Sequence, residues 1–398
     1  MKTIKIFLIV LLLPLSGCAT VAVVNMDDEG FSVEEDERRL ASRADEQSEL
    51  LTDSGFVYND REVESYMNNI AQKLLATQFP HGDKPDITIV LLKNPALNAF
   101  ALGNGHIYIH TGIFSSATTE AQMAALIAHE MTHIVNRHIL KQFRSIKNKS
   151  AFIATVAPLG LPGLLAQLGG ISSIAGFSQH LEYEADEGGY NMLFKSHYDV
   201  RESVKLFESL EKYIDDEEIK QPYFFSSHPH VKNRISNFKQ LAAKQKMAED
   251  AVINTAAYSK LWKKVAMDNM RYCLDQGFFK TAANLIDVYL KRYEEVEGQY
   301  LKGEIYRKRQ DRPKSQRKTS RDKTEDYQIA MNAYHKVIAQ DASFALAYRG
   351  LAMVLQKLNQ KEAALKNFET YLSKAPSADD QAYIRQTIEM IKNENNKE

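Results

Sequence analysis

Residues 128–138 read AHEMTHIVNRH, three histidines and a glutamate inside an otherwise apolar-patterned run. Polar groups in an apolar stripe need partners, so four of them together ask for a shared task. His129 and His133 stand four apart, so on a helix their rings project from one face, one turn above the other. That HExxH spacing lets both imidazoles reach one zinc ion while Glu130 lies near enough to take a proton from water. The pattern supplies two ligands and a base, and a catalytic zinc needs a third protein ligand.

The surrounding sequence frames this run as a helix. It is expected to start near Thr119, with Gln122 as capping-box partner. Met123, Leu126, Ile127, Met131, Ile134 and Val135 form its buried stripe. On an unbroken helix His138 faces away from His133 and reads as a structural or surface histidine. The metzincin pattern is excluded, because it requires glycine and histidine where Asn136 and Ile139 stand. Upstream, a helix is expected over Asp60 to Leu75, and strands over Asp86 to Leu92 and Gly105 to Phe114, with Asn104-Gly105 as a hairpin turn. The fold class is α+β, mainly helical, with a small sheet ahead of the motif.

Some fifty residues downstream stands HLEYEADEGGYNML, residues 180–193. Glu182 and Asp186 are four apart on an expected helix, so one could bind zinc while the other orients a ligand. Glu184 stands near enough to compete with Glu182 for the same role. Between the motifs, Ala151 to Phe177 carries no charge. Its prolines and glycines favour a buried or flexible hairpin near the site over a membrane-dipping element.

HExxH followed by E-x-E-A-D-x-x-G resembles the M48 family of zinc metallopeptidases, which are gluzincins. The segments GFVYNDREVESYMNNIAQKL and NAFALGNGHIYIHTGIF, and His228-Pro229 with Arg234, look like further family motifs. The resemblance covers roughly Leu51 to Leu241. It implies that His129, His133 and Glu182 bind one zinc ion per chain, that Glu130 is the general base, and that Asp186 hydrogen-bonds a ligand histidine. For His228 it leaves two roles open: occupying the open position at zinc and silencing the enzyme, or assisting the tetrahedral intermediate. Substrate is expected to add as an extended segment to the strand Gly105, His106, Ile107, Tyr108, Ile109 and His110.

Outside the 51–245 peptidase region, the helical pattern of 255–398 carries tetratricopeptide-like spacings. They are clearest over Ala345 to Pro376, weaker from Tyr300, where a basic insertion at 307–323 interrupts them, and loosest over Trp262 to Leu290. A short solenoid of repeats is expected, with the insertion as a solvated loop. At the other end, residues 1–17 read as a lipoprotein signal peptide, because Leu15-Ser16-Gly17-Cys18 resembles a lipobox. Residues 18–50 then form a lipidated tether and polar helix. Acylated Cys18 and a following Ala19 point to the periplasmic face of the outer membrane. The only other cysteine, Cys273, is expected to be a buried apolar side chain. A net charge of −1 argues against nucleic acid as a partner.

The similarity extends to periplasmic M48 members that pair such a domain with tetratricopeptide repeats. It implies an endopeptidase for unfolded or misassembled envelope proteins, with assembly machinery of the outer membrane as the partner of the repeats. The competing expectation is a chaperone or scaffold that works through its repeats while the protease is held shut.

Overall fold

The computed structural model describes residues 25–26, 32–80, 84–147, 177–211, 228, 231–244, 247–311 and 323–395. The apolar hairpin expected between Ala151 and Phe177 lies, except for Phe177, outside the described residues, as do Cys18, most of the basic insertion, and Pro229. No helix among the described residues is long and apolar enough to cross a membrane.

Helix α1 (Glu35–Asp53) precedes α2 (Arg61–Gln78), which Asp60 caps by accepting from the amides of Glu62 and Val63. The buried face of α2 is Val63, Met67, Ile70, Ala71, Leu74 and Leu75, the 3–4 spacing of an amphipathic helix. Three strands follow, β1 (Thr88–Leu92), β2 (Ala99–Ala101) and β3 (His106–His110), in the order β1-β3-β2. β3 runs parallel to β1, pairing Ile89 with Ile107 and Leu91 with Ile109, and antiparallel to β2. Alternation along β3 puts Ile107 and Ile109 into the main core with α2, whereas Tyr108 turns to the other face with Phe100, Leu102 and Leu51 of α1. The Asn104-Gly105 turn joins β2 to β3. Gly105 has φ +87, and a Cβ there would lie 2.0 Å from the Asp86 carbonyl, so only glycine fits.

Two expectations change here. The strand expected to run to Phe114 ends at His110, and α3 (Thr111–Ser116) begins at once. Gly112 packs so closely that a Cβ would meet the Pro95 carbonyl at 2.1 Å, while Thr111 Oγ1 donates to the Asn94 carbonyl, which pulls the chain inward. The proposed substrate strand Gly105 to His110 is also not an edge. β3 is the central strand, hydrogen-bonded on both sides, and the outer strand on the hairpin side is β2.

Helix α4 (Glu120–Val135) carries the HExxH motif and is buried along its whole length. Thr119 caps it through the Gln122 amide, while the Gln122 side chain takes the amide of Thr118, not that of Thr119 as a capping box would. Beyond it come α5 (His138–Lys147), α6 (Gln179–Lys195), α7 (Arg201–Glu211) and α8 (Val231–Lys244). α6 lies against α4 because Gly188 and Gly189 present no side chain there: a Cβ on Gly189 would reach the His129 amide nitrogen at 3.0 Å.

The C-terminal region is helical throughout: α9 (Ala256–Gln276), α10 (Phe279–Leu290), α11 (Val296–Asp311), α12 (Lys323–Gln340), α13 (Ala345–Lys357), α14 (Lys361–Lys374) and α15 (Gln381–Asn395). Each helix packs on the next in chain order, as in a solenoid. Tyr334 enters between Gly303 and Gly350, where added Cβ atoms would lie 2.5 and 2.4 Å from its ring. α9 docks on the peptidase region: Trp262 Nε1 donates to the Ser115 carbonyl at 3.1 Å and the Tyr258 hydroxyl to the Ala117 carbonyl at 2.7 Å. Cys273 is buried in α9.

Candidate metal centre

Two helices supply the site. On α4 the i,i+4 spacing sets the Nε2 atoms of His129 and His133 3.1 Å apart. Across the glycine-lined contact, Glu182 on α6 places Oε2 3.6 Å from His129 Nε2 and Oε1 3.6 Å from His133 Nε2. His228 brings Nδ1 to 3.2 Å from His129 Nε2 and 3.0 Å from Glu182 Oε1. Donor atoms about 2.0–2.1 Å from a shared tetrahedral centre lie roughly 3.3 Å from one another. The separations just given, 3.0 to 3.6 Å, are close to that value, and the donor atoms of all four buried residues lie within 4.8 Å of one another. Two neutral imidazoles and a carboxylate are the donor set of a catalytic zinc, and the residues present fit that ion.

The remaining charged groups surround this cluster. Asp186 Oδ1 lies 3.1 Å from His129 Nδ1, so the first ligand ring has a carboxylate directly behind it. Arg234 from α8 is fully buried and donates to both Asp186 oxygens, with Nη2 2.7 Å from Oδ1. Its Nη1 lies 3.2 Å from Glu182 Oε2, and its Nη2 lies within 3.2 Å of both ring nitrogens of His129. Glu130 is buried, and neither of its oxygens takes a hydrogen bond among the described residues. His228 Nε2 approaches Glu130 Oε1 at 3.4 Å. Burial pushes the Glu130 carboxyl up to about 7, and the nearby Ala101 amide offsets part of the rise without reaching hydrogen-bond geometry. Burial drives His129 and His133 well below the usual imidazole range, which keeps them neutral. Burial would also raise Glu182, but the charges of His228 and Arg234 outweigh it and hold the carboxyl low.

Sequence reasoning misplaced His138, gave Glu184 no role beyond competing with Glu182, and did not single out Phe177. His138 was expected to face away from His133, yet its Nδ1 lies 2.9 Å from His133 Nδ1, and the ring is buried. The expectation fails because the helix does not continue: α4 stops at Val135, and Arg137, with φ 53, turns the chain before α5. Burial lowers the His138 imidazole to about 4. Glu184, the competitor for Glu182, bonds to His138 Nε2 at 3.0 Å and not to the donor cluster. Phe177 stacks on the His133 ring, with centroids 4.0 Å apart. Arg234 was visible as part of a motif, but its bond to Asp186 carries no signature in spacing.

The expected substrate strand needs a different edge. Asn98 accepts from the His110 amide and Leu102 donates to His106, so residues 98, 100 and 102 turn their peptide groups towards β3. Ala99 and Ala101 therefore turn theirs outward, and the Ala101 amide is the one near Glu130.

Comparison with known proteins gives the same region. The chain is 27% identical over 208 residues to a putative beta-barrel assembly-enhancing protease of Vibrio cholerae, covering 48% of this chain and 42% of that protein. It is 26% identical over 212 residues to the mitochondrial metalloendopeptidase OMA1 of Schizosaccharomyces pombe, covering 51% and 60%. With the metalloprotease LoiP of Escherichia coli it shares 30% identity over 153 residues, covering 35% and 59%. The chain thus spans about two fifths of the length of the assembly proteases it matches. Residues 58–242, which hold the HExxH helix, the α6 carboxylates and Arg234, match peptidase family M48, a family of zinc metallopeptidases, and form an M48 peptidase domain in this chain.

Proposed function

We propose that the chain is a zinc metalloendopeptidase of the cell envelope that cleaves misfolded or misassembled envelope and outer-membrane proteins. The observation that carries this reading is the buried set of His129, His133 and Glu182, with the two unbonded oxygens of Glu130 beside it. These three residues would hold one zinc ion. When bound, zinc polarises the scissile carbonyl and brings water to ionisation near neutral pH. Glu130 takes the proton of the attacking water and returns it to the leaving amine. Asp186 keeps the His129 proton on Nδ1, leaving Nε2 as the donor. An extended substrate adds to the outward peptide groups of Ala99 and Ala101 in β2, next to Glu130, and not to β3.

His228 supports a second state of the same enzyme. Its Nδ1 stands among the donor atoms, so it fills the position that water needs and holds the protease silent until the segment moves. In that state the C-terminal solenoid of tetratricopeptide-like repeats would act as the binding module, and outer-membrane assembly machinery is its proposed partner. Residues 15–18 support acylation at Cys18, with the chain tethered to the inner leaflet of the outer membrane and facing the periplasm. The names of the bacterial relatives, which concern β-barrel assembly, favour clients from the same compartment.

Casein cleavage by the full chain tests the reading. A chelator should abolish it, zinc should restore it, and Glu130→Gln should bind zinc without cleaving. Wild-type turnover by Glu130→Gln refutes the assignment. His228→Ala should raise basal cleavage, whereas a fall would give His228 a catalytic role instead.

A further inference from the structure

The two ligand histidines are supported in different ways. His129 Nδ1 meets the Asp186 carboxylate directly. His133 Nδ1 meets the Nδ1 of His138 at 2.9 Å, and the Nε2 of His138 lies 3.0 Å from Glu184 Oε2. Glu184 is held in turn by Lys141 Nζ at 3.4 Å and by the exposed His180 at 3.0 Å.

Proton positions allow one arrangement of this chain of bonds. For Nε2 of His133 to offer a lone pair to a metal, its proton must sit on Nδ1. That proton is donated to Nδ1 of His138, so a neutral His138 carries its own proton on Nε2 and donates it to Glu184. Each group is used once, and the opposite polarity would put a proton on His133 where the ion binds. We infer that His138 and Glu184 form a two-step relay that fixes the tautomer and ring orientation of His133, as Asp186 does for His129. The inference rests on the reading of His133 as a metal ligand, and it makes His138 and Glu184 positioning residues.

The backbone is built to present this relay. Arg137 occupies the left-handed region, uncommon for a long side chain, and the turn it makes returns His138 to His133. Its guanidinium is buried and donates to both Glu37 oxygens, at 3.0 and 2.6 Å, and to the Ser32 carbonyl at 3.3 Å. The N-terminal helix α1 thereby locks the turn on which the relay depends.

Zinc affinity of the full chain, measured by competition with a chromophoric chelator, tests this independently of turnover. His138→Phe keeps the ring volume and removes the acceptor, and should weaken zinc binding roughly 10- to 100-fold while the metal-free melting curve stays near wild type. His138→Asn places an oxygen where Nδ1 stood and should recover most of the loss. Should His138→Phe fail to fold, Glu184→Gln, at the part-exposed end of the relay, should still lower affinity severalfold. Zinc binding by His138→Phe as tight as wild type, an Asn variant no better than the Phe variant, or an unchanged Glu184→Gln overturns the relay. A wild-type chain that takes up no zinc is a separate failure, that of the peptidase reading itself.

Discussion

Replacing Arg234 with methionine tests how the charge of the site is held. The guanidinium is fully buried, bonded to Asp186 at 2.7 Å and set 3.2 Å from Glu182, with the Phe207 ring at 4.4 Å from its carbon. Methionine keeps an apolar stem against Phe207 and leaves Asp186 without its cation, while Glu182 keeps His228 at 3.0 Å. Removing one partner of a buried ion pair costs about 3–5 kcal/mol, because the remaining charge stays desolvated. That cost should appear in the metal-free protein. Changing Asp186 to asparagine in the same chain removes the stranded charge, so the double variant should fall short of the sum by about 1–3 kcal/mol. Urea unfolding of chelator-treated protein, followed by far-UV circular dichroism and by fluorescence, measures both quantities. Trp262, the only tryptophan, sits at the contact with Ser115 and reports whether the helical region stays docked. A loss below about 1 kcal/mol for Arg234→Met, or strictly additive effects, would show that the pair does not carry the buried charge.

Other perturbations read other parts of the molecule. Gly188→Ala drives a Cβ to 2.5 Å from Thr132 Cγ2, so overpacking should cost about 1–3 kcal/mol in thermal unfolding, and Thr132→Ser should relieve it by removing that methyl. If the pair of changes is no more stable than the single one, the α4–α6 contact is not set by this glycine. Gly303→Ala should displace Tyr334 and lower the stability of the helical region by a similar amount while leaving zinc affinity unchanged, measurable by hydrogen exchange beside chelator competition. Burial would raise the Glu304 carboxyl, but Arg307 and the Tyr334 hydroxyl outweigh it and hold it below the usual range. Its contribution to stability is therefore complete above the unfolded value near ~4.3 and is lost as pH falls through the lower folded one. Acid melting series should show this loss, and Glu304→Gln should flatten it.

The elements legible in the sequence are those in which period and local signal agree. α2 has an Asp60 cap and an uninterrupted 3–4 stripe, and the hairpin has Asn104-Gly105, so both stand where pattern puts them. β3 shows what pattern leaves out. Alternation and β-branched residues identify a strand, but pairing order depends on contacts with segments far away, and nothing in GHIYIH separates a central strand from an edge. Its end is equally hidden, because the stop at His110 comes from Gly112 packing under Pro95, a tertiary contact.

The metal site divides along the same line. His129, His133, Glu182 and Asp186 were legible because i,i+4 spacing on a helix fixes which side chains share a face. His138 was misread because that rule assumes a helix that continues, and Asn136-Arg137 contains neither the glycine nor the proline that marks a break. The break is instead held from outside by Glu37, a residue one hundred positions away in sequence. Arg234 belongs to the same class, since what recruits it is the charge of the site. Three buried carboxylates, Glu130, Glu182 and Asp186, face the Arg234 guanidinium and the His228 imidazole, which the neighbouring carboxylates favour in its charged form, so with all of these ionised one negative charge remains in excess. A bound cation would take up that excess; without one, burial drives both Glu130 and Asp186 towards protonation, and of the two only Asp186 accepts hydrogen bonds among the described residues, from Arg234. The same lack of partners would leave Glu130 free to act as the proposed base with a cation bound.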